Sequence, residues 1–330
     1  MAVNLKGKSF LTLMDLSGEE IRYLLDLAHD LKAKKRMGLH GKALAGKNIV
    51  LLFEKTSTRT RCAFEAAARE EGGGVTYLDP GSSQMGKKES LEDTARVLGR
   101  FFDGIEYRGY DQQAVIDLAR YSGVPVFNGL TDLDHPTQIL ADMLTMEEHL
   151  AKPLSHCKVA FVGDVRNNMA YAWMYGCCKM GVDFVGYGPQ ALIDGADKAV
   201  LAACRAEGER TGADIRLSDN IDDLRGADVL YSDIWASMGE EDLIPERARL
   251  LAPYRIDEAM LDATGNPEVL FMHCLPSFHD FETRLAREWK EKGVDIREVT
   301  DEVFRGPHSV VFDEAENRLH TIKAVMVATV

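Results

Sequence analysis

The sequence predicts an α/β protein of two domains, each a parallel sheet flanked by helices. Three observations predict it. Short β-rich runs alternate with helix-like runs along most of the chain. The alternation falls into two series with a helical stretch between them. The 330 residues leave room for two domains at ~150 residues each.

Taken in order, "SGEEIRYLLDLAHDLKAKKR" opens with Ser17 and Glu20 at capping-box spacing and continues with helical periodicity. Its basic tail suits the negative pole of a helix. "KNIVLLFE", "GGVTYLD", "GIEYRG" and "VPVFNG" then read as strands, each followed by a helical segment. The helical "HPTQILADMLTMEEHLAK" links this series to a second one, "KVAFVGD", "DFVGYGP", "ADIRL", "DVLYSDIW" and "EVLFMHCLP". The last stretch, "DEAENRLHTIKAVMVATV", is a helix that follows the completed second sheet and could pack on either domain. A single eight-fold barrel is the alternative architecture; about nine strands and a long central helix suit two open sheets better. The boundaries that follow are 1–150 for the first domain and 151–314 for the second.

Composition narrows the function. Hydrophobic content of 45% and charged content of 28% are ordinary for a soluble globular protein. A net charge of -14 argues against nucleic acid or an anionic membrane as partner. No apolar run approaches the ~20 residues of a membrane span, and "MAVNLKGKSFLTLMDL" lacks the features of a secretory signal or a transit peptide. Cys62, Cys157, Cys177, Cys178, Cys204 and Cys274 form no CxxC pair and no regular spacing, so reduced thiols in a cytoplasm are expected.

Against that acidic background, "STRTR" packs two arginines and three hydroxyls into five residues after an apolar strand. Ligands of open parallel sheets sit at the carboxyl ends of strands, and a helix begins here. Its N-terminus offers unpaired amides and a positive pole. Ser57, Thr58 and Thr60 add hydroxyls, and Arg59 and Arg61 add planar forks suited to phosphate oxygens. The glycines and lysine of a nucleotide P-loop are missing. Capping by Ser57 or Thr58 beside surface arginines is the plainer reading, and it leaves the arginine density unexplained.

Other strand ends carry the same theme. Arg108 ends "GIEYR", as a ligand or as an ordinary exposed arginine. In "DHPTQ", Pro136 suits a first helical position, which puts His135 at the cap and Gln138 one turn on. In the second series, "FVGDVRNNM" brings Asp164, Arg166, Asn167 and Asn168 to a strand end, and "SDIWASMG" brings Asp233, Ser237, Met238 and Gly239. "FMHCLP" brings Cys274, for which plain buried packing is the alternative. A dinucleotide site would need G-x-G-x-x-G after a strand, and it is absent.

In this order and at these intervals, "STRTR", "HPTQ", "DIWASMG" and "HCLP" resemble the aspartate/ornithine carbamoyltransferase family, on its ornithine branch. The resemblance covers essentially the whole chain. It implies transfer of a carbamoyl group from carbamoyl phosphate to the side-chain amine of L-ornithine, giving citrulline and phosphate by direct attack through a tetrahedral intermediate. It implies no cofactor, no metal and no covalent enzyme intermediate. Arg59, His135, Asp233 and Cys274 would be the catalytic residues. Ser57, Thr58, Arg59, Thr60 and Arg108 would hold the phosphate, with Arg61, Pro136 and Thr137 counted in the same carbamoyl phosphate set. His135 and Arg59 would lie near the carbonyl oxygen, and Gln138 and the backbone at Cys274 and Leu275 would hold the amide. Arg318 would add a further contact and bring segment 315–330 back to the first domain. Asn168, Asp233, Ser237 and Met238 would hold ornithine, with the "SMG" loop a candidate lid pivoting at Gly239. The loop 79–90 would reach a neighbouring subunit's site in a homotrimer through Gln84, assisted by Lys88. Carbamoyl transfer to putrescine is the rival within the family, and a non-catalytic phosphate-binding regulator the rival outside it. Anabolic or catabolic direction is left open.

Overall fold

The computed structural model describes residues 3–79, 81, 85, 88–236 and 239–330, with the backbone alone at residue 241. The chain divides into two compact units. Unit 1 is Met1–Leu144 with Glu316–Val330, and unit 2 is Thr145–Ala315. The divisions fall inside two unbroken helices, a few residues from the boundaries at 150/151 and 314/315 read from the sequence. Helical periodicity does not change at either point, so nothing local marks them.

Unit 1 opens with α1 (Gly18–Arg36), whose capping box is complete. The Ser17 hydroxyl accepts the Glu20 amide at 3.2 Å, and the Glu20 carboxylate accepts the Ser17 amide at 2.8 Å. Ile21, Leu24, Leu25, Ala28 and Leu31 form its buried stripe. There follow β1 (Asn48–Phe53), α2 (Thr58–Glu70), β2 (Gly74–Leu78), α3 (Leu91–Phe101), β3 (Gly104–Arg108), α4 (Gln112–Ser122), β4 (Val126–Leu130) and α5 (Pro136–His149). The four strands are parallel in the order β2-β1-β3-β4. β1 is apolar and buried from Ile49 to Phe53, as expected of a strand covered on both faces. Between β3 and β4 the register slips at Tyr107/Arg108, a bulge that falls beside Gly129.

Unit 2 contains β5 (Lys158–Val162), α6 (Asn168–Met180), β6 (Asp183–Tyr187), α7 (Gln190–Asp194), α8 (Lys198–Thr211), β7 (Ile215–Ser218), β8 (Val229–Ser232), α9 (Ile244–Leu251), α10 (Glu258–Ala263), β9 (Leu270–His273), α11 (Arg284–Glu291) and α12 (Asp301–Arg305). Its five strands are parallel in the order β7-β6-β5-β8-β9. One face of the sheet packs Ala160, Val162, Val185, Leu230 and Phe271 into a core. On the other, Tyr231 meets Phe161 and Trp173 of α6. α6 is buried all round from Met169 to Cys178, which is why it is apolar on every face. α13 (Val311–Thr329) closes the chain, and its part from Glu316 belongs to unit 1. All nine strands read from the sequence are present, in two open sheets, so the barrel alternative is set aside. No described helix is long and apolar enough to cross a membrane.

Candidate active site

In unit 1 the strand order reverses between β1 and β3, the switch point at which such sheets bind ligands. β1 runs out into "STRTR" and β3 ends at Arg108, so both flank that point. Ser57 caps α2, its hydroxyl accepting the Thr60 amide at 3.2 Å. The first turn of α2 therefore presents backbone N–H groups and the positive pole of the helix. Thr60 is buried and its hydroxyl oxygen accepts from two guanidiniums, Arg108 Nη1 at 3.4 Å and Arg318 Nη2 at 2.9 Å. Arg318 Nη1 donates to Gln138 Oε1 at 3.0 Å, and Gln138 Nε2 donates to Asp142 Oδ1 at 2.8 Å. Strand β3 and helices α2, α5 and α13 thus deliver one net of buried donors.

Arg108 and Arg318 are only 7% and 3% exposed, and burying two like charges costs several kcal/mol unless negative charge balances them. The acid beside them on β3 does not supply that charge. Glu106 precedes Arg108 by two residues on β3 and faces the same side. It is fully buried, and among the described residues neither carboxyl oxygen has a hydrogen-bond partner. Burial pushes its pKa well above the ordinary carboxylate range, against the pull of Arg108 and Arg318. Gly129 is glycine for this reason: a Cβ there would lie 1.8 Å from Glu106 Oε1. His135 sits just before Pro136, the first residue of α5, and is buried, with Nδ1 3.3 Å from the Thr137 hydroxyl. Burial first, then Arg318, Arg108 and Arg59, hold its pKa well below the ordinary value, so the ring is neutral. A neutral imidazole donates one hydrogen bond without adding a further positive charge.

In unit 2 the strand order reverses between β5 and β8. The loops leaving these strands meet: Asn167 caps α6 through its Oδ1, and its Nδ2 donates to Asp233 Oδ2 at 3.3 Å. The Cys274 thiol donates to Asp233 Oδ1 at 3.2 Å, and the Ile234 amide donates to the same oxygen at 2.8 Å. Burial raises the pKa of Asp233, an effect that His273, the Cys274 thiol and the Ile234 amide partly offset and Glu298 reinforces. A carboxylate so raised is a better proton acceptor than an ordinary one.

Behind Cys274, His273 Nδ1 accepts the Leu275 amide at 2.9 Å, which places the ring proton on Nε2, 3.1 Å from Glu298 Oε1. Glu298 also accepts Ser277 Oγ and the Phe278 amide, each at 2.6 Å. These contacts hold Leu275 at φ 54, the only non-glycine at positive φ among the described residues. Such a conformation costs on the order of 1–3 kcal/mol and persists where its surroundings over-determine it. Asp233, His273 and Cys274 bring oxygen, nitrogen and sulfur within 4.8 Å of one another, a donor set that zinc-like ions accept. The bonds just described already engage it.

Thr60, Arg108, His135, Thr137, Gln138 and Arg318 are thus brought together, and Asp233 and Cys274 likewise. Arg59 is half-buried and acts on His135, Thr58 is exposed at the start of α2, and Asn168 is the first residue of α6. Arg61 is the exception. It is exposed, bonds Glu65 at 2.8 Å and stacks on Tyr77 at 3.8 Å, and neither partner belongs to the arginine net. One helical turn fixes that outcome: Glu65 is its i+4 neighbour, and the positions are set by α2. Gln84, Ser237 and Met238 lie outside the described residues. Sequence reading missed Glu106, Asp134, His273 and Glu298. Glu106 left a usable signal in its two-residue spacing from Arg108; Glu298, distant in sequence from the loop it organises, left none.

Comparison with known proteins gives a consistent picture. The family model for the aspartate/ornithine carbamoyltransferase carbamoyl-P binding domain matches residues 8–148, and that for the Asp/Orn binding domain matches residues 155–329. The chain is 63% identical over 332 residues to the catabolic ornithine carbamoyltransferase of Clostridium perfringens, covering 100% of this chain and 99% of the relative. It is 55% identical to that of Treponema denticola, covering 99% and 97%. Among solved structures, ornithine carbamoyltransferase from Pyrococcus furiosus matches with a TM-score of 0.89 at 37% identity, over 99% of this chain and 98% of that one. On the matched domains, the full-length relatives and the shared fold, the chain belongs to the aspartate/ornithine carbamoyltransferase family.

Proposed function

We propose that the protein moves a carbamoyl group between phosphate and the side-chain amine of L-ornithine. Unit 1 takes carbamoyl phosphate and unit 2 takes the amino acid. The observation that carries the reading is the pair of half-sites. A net of buried guanidiniums at a helix N-terminus suits a phosphate dianion. A raised carboxylate bonded to a thiol suits an amine that must shed a proton before it attacks.

In the forward sense the amine lone pair attacks the carbonyl carbon and negative charge grows on its oxygen. Collapse of the tetrahedral intermediate breaks the C–O bond, and phosphate leaves with the electron pair. Arg59, Arg108 and Arg318 oppose the negative charge on oxygen and phosphate, and neutral His135 donates to the carbonyl oxygen; preorganised donors of this kind are the main lever in such a reaction. Free ornithine carries its amine protonated, near pKa ~10.4 by analogy with lysine. Asp233, with Cys274 bonded to it, is our choice of acceptor for that proton.

The names of the relatives from Clostridium perfringens and Treponema denticola support the catabolic direction, in which phosphate attacks citrulline and ornithine departs. That suits the arginine deiminase route. A homotrimer in the cytoplasm, with loop 79–90 completing a neighbour's site, is part of the proposal and rests on the family resemblance. The test is citrulline formation from carbamoyl phosphate against a panel of ornithine, putrescine, lysine, acetylornithine and aspartate. Turnover confined to ornithine is expected; turnover confined to any other amine overturns the substrate assignment.

A further inference from the structure

Asp164 follows β5 and is the hub of the turn that launches α6. The Asn167 amide donates to its carbonyl oxygen at 3.1 Å, and the Arg166 amide donates to its Oδ1 at 3.1 Å. Arg166 also grips the carboxylate from the side, Nε to Oδ1 at 2.9 Å and Nη2 to Oδ2 at 3.0 Å. That fork already satisfies both oxygens within a three-residue span. Yet Arg247, 83 residues further along the chain on α9, bonds Oδ2 as well through Nη1. Its other nitrogen, Nη2, faces Glu240 Oε1 at 4.0 Å. Arg247 is 16% exposed and Asp164 11%. Burial would raise Asp164, but Arg166 and Arg247 outweigh it and keep it anionic.

The packing beneath these charges has the same geometry. Ala248 and Leu251 of α9 share one apolar cluster with Val165, from the segment after β5, and Trp235, from the segment after β8. α9 therefore touches both segments that leave the switch point. These segments carry Asn167, Asn168 and Asp233, and Glu240 lies downstream on the second of them.

We propose that Arg247 is a positioning residue for the amino-acid half-site, tying the segment after β5, through Asp164, to the segment after β8, through Glu240. Arg166 is enough to satisfy Asp164 locally; Arg247 adds the link between segments. The 3.3 Å contact between Asn167 and Asp233 spans the same gap and depends on their relative placement. A displacement of about 1 Å at such a site can cost on the order of 100-fold. Only a guanidinium can reach two acids at once with a rigid fork; an ammonium is a single point charge. The inference rests on the ornithine reading above.

The test compares wild type with Arg247→Gln, Arg247→Lys, Glu240→Gln and the double variant Arg247→Gln/Glu240→Gln. Steady-state kinetics in both substrates are measured alongside calorimetric titration with inorganic phosphate. Arg247→Gln is expected to lower kcat/KM for ornithine by about 10- to 100-fold, with phosphate affinity unchanged. Arg247→Lys should recover part of the loss. Glu240→Gln should weaken ornithine less, and the double variant should be no worse than Arg247→Gln alone, since both break one link. An unchanged kcat/KM for ornithine in Arg247→Gln overturns the inference, as does a parallel fall in phosphate affinity. If Arg247→Gln does not fold, additive behaviour of Glu240→Gln with Arg247→Lys overturns it equally. A wild type that carbamoylates no ornithine overturns the functional reading itself, a separate result.

Discussion

Asp134 shows how much a single buried acid can cost. It adjoins His135 and is 1% exposed, and burial pushes its pKa up to about 7, with Asp15 adding to the rise and Thr12 and the His135 backbone opposing it. The unfolded chain releases the proton near 3.8. Between these values the folded state binds more protons than the unfolded state, so this residue makes stability fall as pH rises from ~4 to ~7. Asp134→Asn keeps the shape of the protonated acid. It is expected to stabilise the protein at pH 8 by on the order of 4 kcal/mol, with the gain shrinking to nothing near pH ~4. Urea unfolding across that range measures it, and a gain independent of pH refutes the assignment. His135 follows the opposite sign: held neutral by burial and three arginines, it resists protonation and makes the fold weaker as pH falls below its ordinary value.

At the scale of elements, glycines decide how closely the helices and strands approach. Gly129 makes room for the buried Glu106 carboxyl at the β4 bulge, and Gly99 does the same between α3 and α4. A Cβ at Gly99 would lie 1.8 Å from the Ser122 carbonyl oxygen and 2.6 Å from its carbon, which are backbone atoms with nowhere to go. Gly123, one residue past α4, instead needs its glycine for φ +75, and beyond its chain neighbours no described residue comes within 4 Å of its Cβ position. The two substitutions should separate cleanly. Gly99→Ala is expected to cost ~3 kcal/mol or more through forced displacement of α4, while Gly123→Ala should cost about 1 kcal/mol through backbone strain alone. Denaturant midpoints of the two variants check the order; equal losses would refute the packing argument. The same element-level logic explains Arg61: α2 places Glu65 one turn on, and the side chain settles there instead of joining the net.

At the scale of the whole molecule, the proposed trimer yields an arithmetic. Arg59→Ala spoils a site but leaves loop 79–90 intact, and Gln84→Ala does the reverse. Co-refolded mixtures are expected to contain some sites assembled from two intact halves, so their activity should exceed that of either parent. Mixed trimers without recovered activity, or a fully active dilute monomer, would show that each subunit completes its own site.

The fold class was legible in the sequence because its signals are local. Strand runs such as "NIVLLF", the Ser17–Glu20 capping box, and Pro136 at the head of α5 each declare an element from a few adjacent residues. The site motifs were legible for a related reason: "STRTR", "HPTQ" and "HCLP" sit at strand ends and helix starts, where an open parallel sheet gathers ligands whatever its sequence. What only the tertiary structure decided was which side chains share a charge environment. Arg318 reaches Thr60 from 258 positions away, and Glu298 holds the turn after Cys274 from a separate loop. Whether Arg61 joins Arg108 or turns to Glu65, and whether Glu106 and Asp134 keep their protons, depends on burial and on neighbours remote in the chain. Desolvation and Coulomb interactions act through space, and no local pattern encodes them.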